Sequence, residues 1–570
     1  MLATSNIDKI ISSYFSDHQS FLTYPWFLYI ISGAFIFPSG FHTILSIFLQ
    51  RKSTFLCHNV DDQYEISKDI VQEICEMENA TSSRTIENHC YLDFKLKQLN
   101  NGNNTIPCPL SNLNYTLDHQ TVVTEFNLVC ENSFYNTLIN IGYFLGFFFG
   151  AILSGFISDN YGRKTAVFVG SLGMVLTDII ACYSTSFIMY GIVRSMNGIA
   201  ANTCYVASVV LVMEMANPRY RALVGCSAAS AFFCFGMAMT SIWAYMWPNW
   251  RDLQFWSFLV VLPNFLILLE VKESCRWLYA KGKFDELSVV LRHIWGRIGG
   301  PYDLIVNKSS GYSIETIEDH LDDLLENNET GRASVSVNTT NKLSMLDLFK
   351  HGQNMTKITF ILMYIWFVAS LIFYGANMSG AKLPLNLYLS NFIMASLSAT
   401  IGPFLAYFGI EIIGRKKTIS YGTLTASILW LCQTFLRTQL NCLAENSLLF
   451  FKILPESSIN ILIVILESGV RIFSVVLFAS IYTFTAELYP TQIRGNAVGI
   501  GSMASRIGGM CVPIILSLAA YKSWLPSVII SSLGIFAGLF SLYLPETKGV
   551  KMLKSFEEAQ KFYVASLQKN

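Results

Sequence analysis

The sequence predicts an all-α membrane protein with twelve transmembrane helices in two six-helix halves. The first observation is composition. Of the 570 residues, 52% are hydrophobic and 14% are charged, whereas a soluble domain carries about 25% charged residues. The second is a series of uncharged stretches of about 20 residues, each long enough to cross a hydrocarbon core of about 30 Å. The third is a set of charged loop motifs that recurs once along the chain.

The apolar stretches define twelve predicted spans. The first is too long for the core of a signal peptide, and it lacks a basic flank before it and a small-residue cleavage pattern after it, so we interpret it as a retained span. The predicted spans are 25–49, 134–157, 165–186, 188–212, 222–246, 253–271, 358–381, 384–409, 418–437, 459–483, 496–520 and 525–544. The corresponding regions are an N-terminal segment (1–24), a first half (25–271), a loop (272–356), a second half (357–544) and a C-terminal tail (545–570).

Two hydrophilic inserts, residues 50–133 and 272–356, interrupt the spans. The first combines cysteines with N-glycosylation acceptors, which suits an oxidising extracellular environment. A sixth cysteine lies between spans 9 and 10, and the pairing cannot be read from sequence, so free thiols remain an alternative. The disulfide candidates are Cys57, Cys75, Cys90, Cys108, Cys130 and Cys442, and the glycosylation candidates are Asn79, Asn103 and Asn114.

Basic residues concentrate in the short loops on one side of the predicted bundle. The positive-inside rule places this side, both termini and the second insert in the cytoplasm, although Arg51 and Lys52 run against the bias. We therefore expect a multi-pass protein of the plasma membrane with cytoplasmic termini. The basic clusters are Arg163 with Lys164, Arg219 with Arg221, residues 415–417, and Arg494.

Charged motifs repeat between the two halves of the chain. An acid precedes Gly-Arg-Lys by three residues after span 2, at Asp159, and again after span 8, at Glu411, 252 positions later. Acid–arginine pairs recur after spans 4 and 10 with an offset of 273. Because the markers recur in order, the chain consists of two related six-span halves. The predicted gating cluster comprises Asp159, Gly162, Arg163, Lys164, Glu214, Arg221, Glu411, Arg415, Glu487 and Arg494.

Several of these motifs resemble those of a known family. The pattern G-x-x-x-D-x-x-G-R-K at 155–164 resembles the loop signature of the major facilitator superfamily. The runs TEFNLVCE, ESCRWL and TAELYPTQIRGNAVG, at 124–131, 273–278 and 485–499, resemble the organic cation, anion and carnitine transporters of solute carrier family 22. Lys272 and Cys275 stand where that family usually has proline. The resemblance implies a substrate site between the halves, alternating access, and a charge cluster that latches the halves together.

Ionisable residues inside the spans form a second set of candidates. Each costs about 2.5–3.5 kcal/mol at a helix centre and therefore needs a partner or a function. Asp178 and Arg194 lie at similar depth on adjacent antiparallel spans, so we predict an ion pair. Glu467 and Arg471 are spaced i, i+4 on span 10 and are expected to pair, or to lose that pairing to a bound substrate.

Arg506 is left without a predicted acidic partner. It lies ten residues into span 11, a rise of about 15 Å, so its side chain does not reach the membrane surface. A guanidinium there favours a carboxylate, sulfate or phosphate ligand. The alternative is a set of bonds to carbonyls of a broken neighbouring helix. The resemblance sharpens the first interpretation, because anion and carnitine carriers have arginine at this position whereas cation carriers have an acid. Ser502 lies one turn earlier and is a second candidate, unless it bonds to its own helix.

Aromatic residues are predicted to form the walls of the site. Phe478 and Tyr482 share one face of span 10 with Arg471. The pair Phe373 and Tyr374 on span 7 resembles the family's cavity-lining pair. Aromatic faces accept flat organic groups, and they attract a desolvated quaternary ammonium by about 1–2 kcal/mol. Ordinary packing is the alternative for each ring.

These observations predict a secondary transporter of small organic ions, above all of carboxylate-bearing zwitterions such as carnitine or betaines, or of organic anions. Pro403 stands where the anion carriers of this family commonly have lysine, which argues against a pure dianion exchanger and favours a singly charged carboxylate or a zwitterion. The alternatives are an organic cation transporter and a transport-silent receptor or scaffold. No enzyme motif, cofactor site or metal site is apparent, and the net charge of zero gives no reason to expect nucleic acid. The expected partners are the substrate and the lipid bilayer, with the protein as a monomer. Sodium coupling, proton coupling and exchange remain open.

Overall fold

Twelve long helices, α1 to α12, dominate the part of the chain that the computed structural model describes, and each corresponds to one predicted span. The structure describes residues 20–51, 55–57, 91–93, 105–107, 113–115, 119–129, 132–215, 229–283, 286–287, 289–290, 348–349, 353–379, 386–444, 456–490, 493–550, 553 and 556–567. In order, the helices are Ser20–Leu49, Ser133–Tyr161, Arg163–Cys182, Phe187–Met215, Ala229–Met246, Trp250–Glu270, Gln353–Ser379, Leu387–Phe408, Arg415–Ala444, Glu456–Leu488, Arg494–Ser517 and Leu525–Ser541. The sixth contains one 3₁₀ turn, and a π turn, Gly409–Ile413, extends the eighth.

Most of these helices are suited to crossing a membrane. Within the described residues, eight are long and apolar enough to span a bilayer, and α1, α5 and α12 contain shorter apolar helices. The remaining helix, α9, is the least apolar of the twelve. The chain is therefore an all-α, multi-pass membrane protein, as its hydropathy pattern predicts.

Observed and predicted boundaries differ by a few residues at several ends. Helix α1 begins at Ser20 rather than residue 25, and α7 begins at Gln353 rather than residue 358. Helix α9 continues to Ala444 rather than ending at residue 437. In each case a more polar flank extends the apolar core of the helix, and hydropathy alone does not report such an extension.

Further small elements of the described residues lie outside the twelve helices. In the first insert, β1 (Phe55–Cys57) pairs antiparallel with β4 (Leu113–Tyr115), and β2 (Tyr91–Asp93) pairs with β3 (Thr105–Pro107). The C-terminal tail contains a further helix, α13 (Phe556–Leu567), which packs on α7. The hydroxyl of Tyr563 donates a 2.8 Å hydrogen bond to the carbonyl of Leu488 at the end of α10.

The G-R-K loops turn at glycines whose backbone conformation excludes most side chains. Gly162 and Gly414 have φ angles of +106° and +102°, a region that L-residues with a Cβ rarely adopt. A Cβ on Gly162 would also lie 2.2 Å from Oε2 of Glu273, and one on Gly414 would lie 2.8 Å from Oε2 of Glu546. The repeated glycine is therefore required by both the turn and the carboxylate beside it.

Helix packing reproduces the two halves inferred from the repeat. In the first half α2 and α3 pack on α4, and α1 packs on α5; in the second half α9 packs on α10 and α12, and α7 packs on α11. Contacts between the halves join α2 to α11 and α5 to α8. We call the end of the bundle at which α1 ends and α2 begins the outer end, and the end that carries the G-R-K loops the inner end.

Several described contacts between the halves lie near the outer end. The rings of Phe48 on α1 and Tyr388 on α8 stack with centroids 5.5 Å apart. The Asn391 amide donates a 2.8 Å hydrogen bond to the Ser241 hydroxyl, which joins α8 to α5. We refer to this arrangement as the outer-closed conformation.

Candidate substrate-binding site

A central cavity lies between the two halves. It contains about 550 Å³ of atom-free space, including the part open to solvent. Helices α2, α4 and α5 line it from one half, and α7, α10 and α11 line it from the other. The lining residues are Phe147, Asn202, Tyr205, Ser230, Phe233, Cys234, Phe373, Tyr374, Val475, Phe478, Tyr482 and Arg506.

Arg506 provides a positive charge to this cavity. Its side chain is buried, and it lies twelve residues into α11, a rise of about 18 Å from the inner end. Nη1 lies 3.4 Å from the Tyr374 hydroxyl, and the guanidinium carbon lies 5.5 Å from the Phe147 ring centroid. Nε has no hydrogen-bond partner. Among the described residues, no carboxylate lies within 4.0 Å of this guanidinium, so its charge is available to a ligand.

Aromatic rings surround the charge. Phe373 packs edge-on against Phe478 with centroids 5.2 Å apart, and against Tyr374 at 5.1 Å. Phe233 extends this wall from the opposite half, 6.1 Å from Phe373. Such a surface accepts an apolar body or the face-on approach of an onium group. The lining that the structure describes thus pairs one cation with an aromatic wall and contains no acid.

Five of the seven predicted substrate residues line the cavity: Phe373, Tyr374, Phe478, Tyr482 and Arg506. Ser502 is not among the lining residues, although it lies on the same helix.

Arg471 also lies outside the cavity lining, which corrects its predicted role as a substrate ligand. It is buried beside α7 and α8, where Nη1 donates to Oδ1 of Asn391 at 2.8 Å and Nη2 donates to the carbonyl of Asn377 at 3.4 Å. Its Nε lies 3.9 Å from Oε1 of Glu467. The i, i+4 spacing does bring these two charges together, and Asn391 and Asn377 occupy two of the guanidinium nitrogens.

The predicted ion pair between Asp178 and Arg194 is not formed, and this expectation is corrected. Oδ2 of Asp178 lies 2.8 Å from Nε2 of His42 on α1. Arg194 instead donates from Nη2 to the backbone carbonyl of His42 at 2.5 Å and lies 4.4 Å from the Tyr143 ring centroid. Both charged groups contact Asn197, which stands between them. Asp178 and Arg194 each lie closer to a hydrogen-bond partner on α1 than to each other.

Sequence reasoning missed the buried His42, the partly buried Arg437 and the cavity lining contributed by the first half. No local signal in the sequence marks His42, because its acidic partner, Asp178, is 136 positions away. Arg437 lies near the predicted end of span 9, yet it is close enough to Glu467 to interact electrostatically with it. Phe147, Asn202 and Phe233 carry no local signal, because their role depends on which faces of α2, α4 and α5 turn towards the cavity.

The charged loops form one cluster at the inner end of each half. In the first half, Nε and Nη2 of Arg163 donate to Glu214 at 3.0 Å each. The Glu273 carboxylate accepts from the backbone N–H groups of Arg163 and Lys164. Burial raises the pKa of Glu273 above its usual value, and these hydrogen bonds oppose that shift. Asp159 lies 3.3 Å from Arg163.

The second half repeats this arrangement. Arg415 donates to Glu487 at 3.0 and 3.1 Å, and Glu546 accepts from the backbone N–H groups at positions 415 and 416. Glu411 lies 4.0 Å from Arg415, and Arg494 interacts electrostatically with Glu487. The expectation that the cluster latches the halves together is therefore corrected for this conformation: these bonds join helices within one half.

Some candidates lie outside the described residues or side chains, and they stay predictions. They are Arg221, Cys57, Cys75, Cys90, Cys108, Cys130, Cys442, Asn79, Asn103 and Asn114. Where side chains are described, Cys182, Cys204, Cys234, Cys275, Cys432 and Cys511 are free thiols, and no cluster of His, Cys, Asp or Glu suited to a metal ion occurs.

The fold and the cavity define a class: a multi-pass membrane transporter with a central site between two six-helix halves. A model of the "Sugar (and other) transporter" family matches residues 82–561. The chain is 30% identical over 458 residues to solute carrier family 22 member 2 of Pongo abelii, an alignment that covers 78% of this chain and 73% of that protein. It is 26% identical over 540 residues to the organic cation transporter protein of Drosophila melanogaster, with coverage of 92% and 89%.

Solved structures agree on the fold. The inward-open xylose transporter XylE from E. coli superposes with a TM-score of 0.55 at 15% identity, covering 94% of this chain and 99% of that one. The protein belongs to the sugar (and other) transporter family of the major facilitator superfamily and, within it, to the solute carrier family 22 transporters of organic ions. It is a transporter rather than an enzyme.

Proposed function

We propose that this protein is a plasma-membrane secondary transporter whose substrates carry a carboxylate, either as zwitterions of the carnitine or betaine type or as organic anions. The observation that carries this proposal is Arg506, a buried guanidinium that lines the central cavity with no carboxylate among its described neighbours.

The charge of the cavity selects between substrate classes. A carboxylate can accept two parallel hydrogen bonds from a guanidinium. A cation held 4 Å from the same group would be repelled by about 4 kcal/mol at an effective dielectric constant of 20. The rings of Phe373 and Phe478 suit the remainder of the substrate, whether it is an apolar body or a quaternary ammonium. A zwitterion satisfies both features at once.

The position of the cavity supports alternating access. Contacts such as Phe48 with Tyr388 close its outer side, whereas Tyr205 and Tyr482 extend the lining towards the inner end. A rocking motion that separates α5 from α8 and brings the inner ends together would expose the same site to the other side of the membrane.

An organic cation is the second candidate. The Drosophila relative is named an organic cation transporter protein, and the aromatic wall is compatible with an onium group. The described lining contains no carboxylate to neutralise such a substrate, and Arg506 opposes it.

A labelled-uptake panel tests the proposal. Size-matched cations, anions and betaines are presented to cells expressing the protein, with and without sodium, and surface biotinylation records its location. We expect uptake of carboxylate-bearing solutes, and its loss in Arg506→Ala at unchanged surface abundance. Uptake restricted to cations would contradict the substrate class, and absence of uptake for every solute at normal surface abundance would favour a transport-silent receptor. A protein retained in internal membranes would contradict the proposed location.

A further inference from the structure

A buried polar cluster in the first half plays no part in the proposed substrate site. His42, Asp178, Asn197 and Gln254 are each at most 2% exposed, and they come from α1, α3, α4 and α6. Oδ1 of Asp178 accepts hydrogen bonds from Asn197 Nδ2 at 3.1 Å and from Gln254 Nε2 at 2.7 Å. Oδ2 contacts only His42 in the described structure. The carboxyl group is therefore held by α4 and α6 on one oxygen and by α1 on the other.

The hydrogen-bond geometry around His42 and Asp178 calls for one proton more than a neutral imidazole beside an ionised carboxylate provides. Nδ1 of His42 lies 2.8 Å from the carbonyl oxygen of Pro38, which is an acceptor only. Nε2 lies 2.8 Å from Oδ2 of Asp178. A neutral imidazole carries one N–H, so with an ionised carboxylate one of these contacts would bring two lone pairs together. Both contacts are satisfied only when the ring is an imidazolium or the carboxyl is protonated.

We propose that His42 and Asp178 form a proton-binding site whose loading stabilises the outer-closed conformation, so that substrate transport is coupled to protons. This inference deepens the proposed transport function and rests on it for its physiological role. The step is the transfer of one proton between the pair and water, in which an N–H or O–H bond breaks and no other covalent bond changes.

The neighbouring Arg194 provides the alternative partner for the unprotonated state. It currently donates to the backbone carbonyl of His42, and Asn197 bridges it to Asp178. When the proton leaves, the pair gains one negative charge and the neutral ring keeps a single N–H for two acceptors, so Arg194 becomes the nearest cation able to compensate the charge of Asp178. Movement of the guanidinium towards Asp178 would release the His42 carbonyl, and with it this attachment of α1 to α4.

This exchange is connected to the outer contact through α1. Phe48, which stacks on Tyr388 of the opposite half, lies six residues after His42 on the same helix, a rise of about 9 Å. Release of α1 from α4 therefore loosens the surface that closes the outer side. Three other titratable groups interact electrostatically with Asp178 or Arg194: Tyr143 from α2, Cys182 from α3 and Tyr190 from α4. Arg251 and Asp252 from α6 interact in the same way with Cys182.

Two substitutions imitate the hydrogen bonds of the loaded pair, and each removes one of its two titratable groups. In Asp178→Asn, the amide oxygen can still accept from Asn197 and Gln254 while the amide nitrogen donates to a neutral His42. In His42→Gln, the amide nitrogen donates to the carboxylate. If one variant fails to fold, the pH response of the other variant still tests the proposal. His119→Gln, in the outer loop region and outside the cluster, is the matched control for loss of a histidine.

The decisive readout is a distance that requires no substrate. Spin labels are attached through non-canonical amino acids at Phe134, 61% exposed at the start of α2, and Tyr521, 80% exposed after α11. The purified full-length protein in liposomes is measured by pulsed electron resonance at pH 5.5 and pH 8.5. We expect the wild type and His119→Gln to gain a longer-distance population at pH 8.5, and both cluster variants to retain the short distance at either pH.

A wild type that shows the same distances at both pH values would overturn the proposal, as would a full pH response in the cluster variants. A second arm uses a trapped pH dye. Addition of a solute identified by the uptake panel should move protons in wild-type liposomes and not in Asp178→Asn liposomes, whereas equal proton movement in both would contradict coupling through this site. Failure of the uptake panel leaves the distance measurement intact, so the two proposals can fail separately.

Discussion

The Tyr374 hydroxyl lies 3.4 Å from Nη1 of Arg506, and it is the one side-chain hydrogen-bond partner that the described structure gives this guanidinium. The distance is long for an N–H···O bond, and Nε of the same group has no partner. Tyr374 therefore orients Arg506 without neutralising it, and the arginine retains donors for a ligand.

Replacing Tyr374 with Phe tests this orienting role. We expect carboxylate affinity to fall about 2- to 10-fold, corresponding to one hydrogen bond of about 0.5–1.5 kcal/mol, because the guanidinium loses its fixed position while the ring remains. Equilibrium binding to the purified protein provides the measurement. Tyr364→Phe is the control: its hydroxyl donates to the Leu533 carbonyl away from the cavity, so affinity should stay unchanged. Equal effects of the two substitutions would contradict the assignment.

Charge exchange in the inner clusters tests whether each cluster belongs to one half. Arg163→Glu places two carboxylates together and should lower both thermal stability and surface abundance, because the part-buried pair with Glu214 is lost. Adding Glu214→Arg should restore much of the loss, since the charges are again opposite within the same half. Adding Glu487→Arg, in the other half, should not. Rescue by the Glu487 substitution instead would show that the clusters latch the halves to each other.

A small residue at position 146 is required for the close approach of α2 and α4. A Cβ on Gly146 would lie 2.2 Å from the backbone carbonyl oxygen of Ser195, so Gly146→Ala should destabilise the first half by about 1–3 kcal/mol. Gly155→Ala on the same helix is the control, because nothing lies within 4 Å of the added carbon and alanine favours helix by about 1 kcal/mol. Thermal unfolding in detergent distinguishes them, and equal melting temperatures would refute the packing argument.

The twelve helices and the two related halves could be predicted because a bilayer imposes its thickness on each span separately. A run such as 134–157 has the required length and apolar character without reference to any other segment. The inner clusters were also accessible, since their acids and arginines recur at fixed offsets. Features that depend on a single stretch of sequence, such as the length of a span or the spacing of a motif, can therefore be predicted from the sequence.

The interior pairings were less predictable because they depend on which helix faces meet. Depth along adjacent spans suggested a pair between Asp178 and Arg194, but His42 from a third helix lies closer to the carboxylate. Arg471 lies on the same helix as Phe478 and Tyr482, yet it bonds to Asn391 and Asn377 and is not among the residues that line the cavity. Arg506 was identified because a charge deep in an apolar span is conspicuous without knowledge of its neighbours.

The proposed transport of carboxylate-bearing substrates depends most on a direct interaction between Arg506 and the carboxylate of the substrate. The measurement is a thermodynamic cycle in which wild type and Arg506→Ala each bind a transported carboxylate and its methyl ester. We expect the substitution to weaken carboxylate binding about 10- to 150-fold, equivalent to about 1.5–3 kcal/mol for a charged hydrogen bond, and to leave ester binding nearly unchanged. Equal weakening of both ligands, or tighter binding of the ester by the wild type, would contradict the claim.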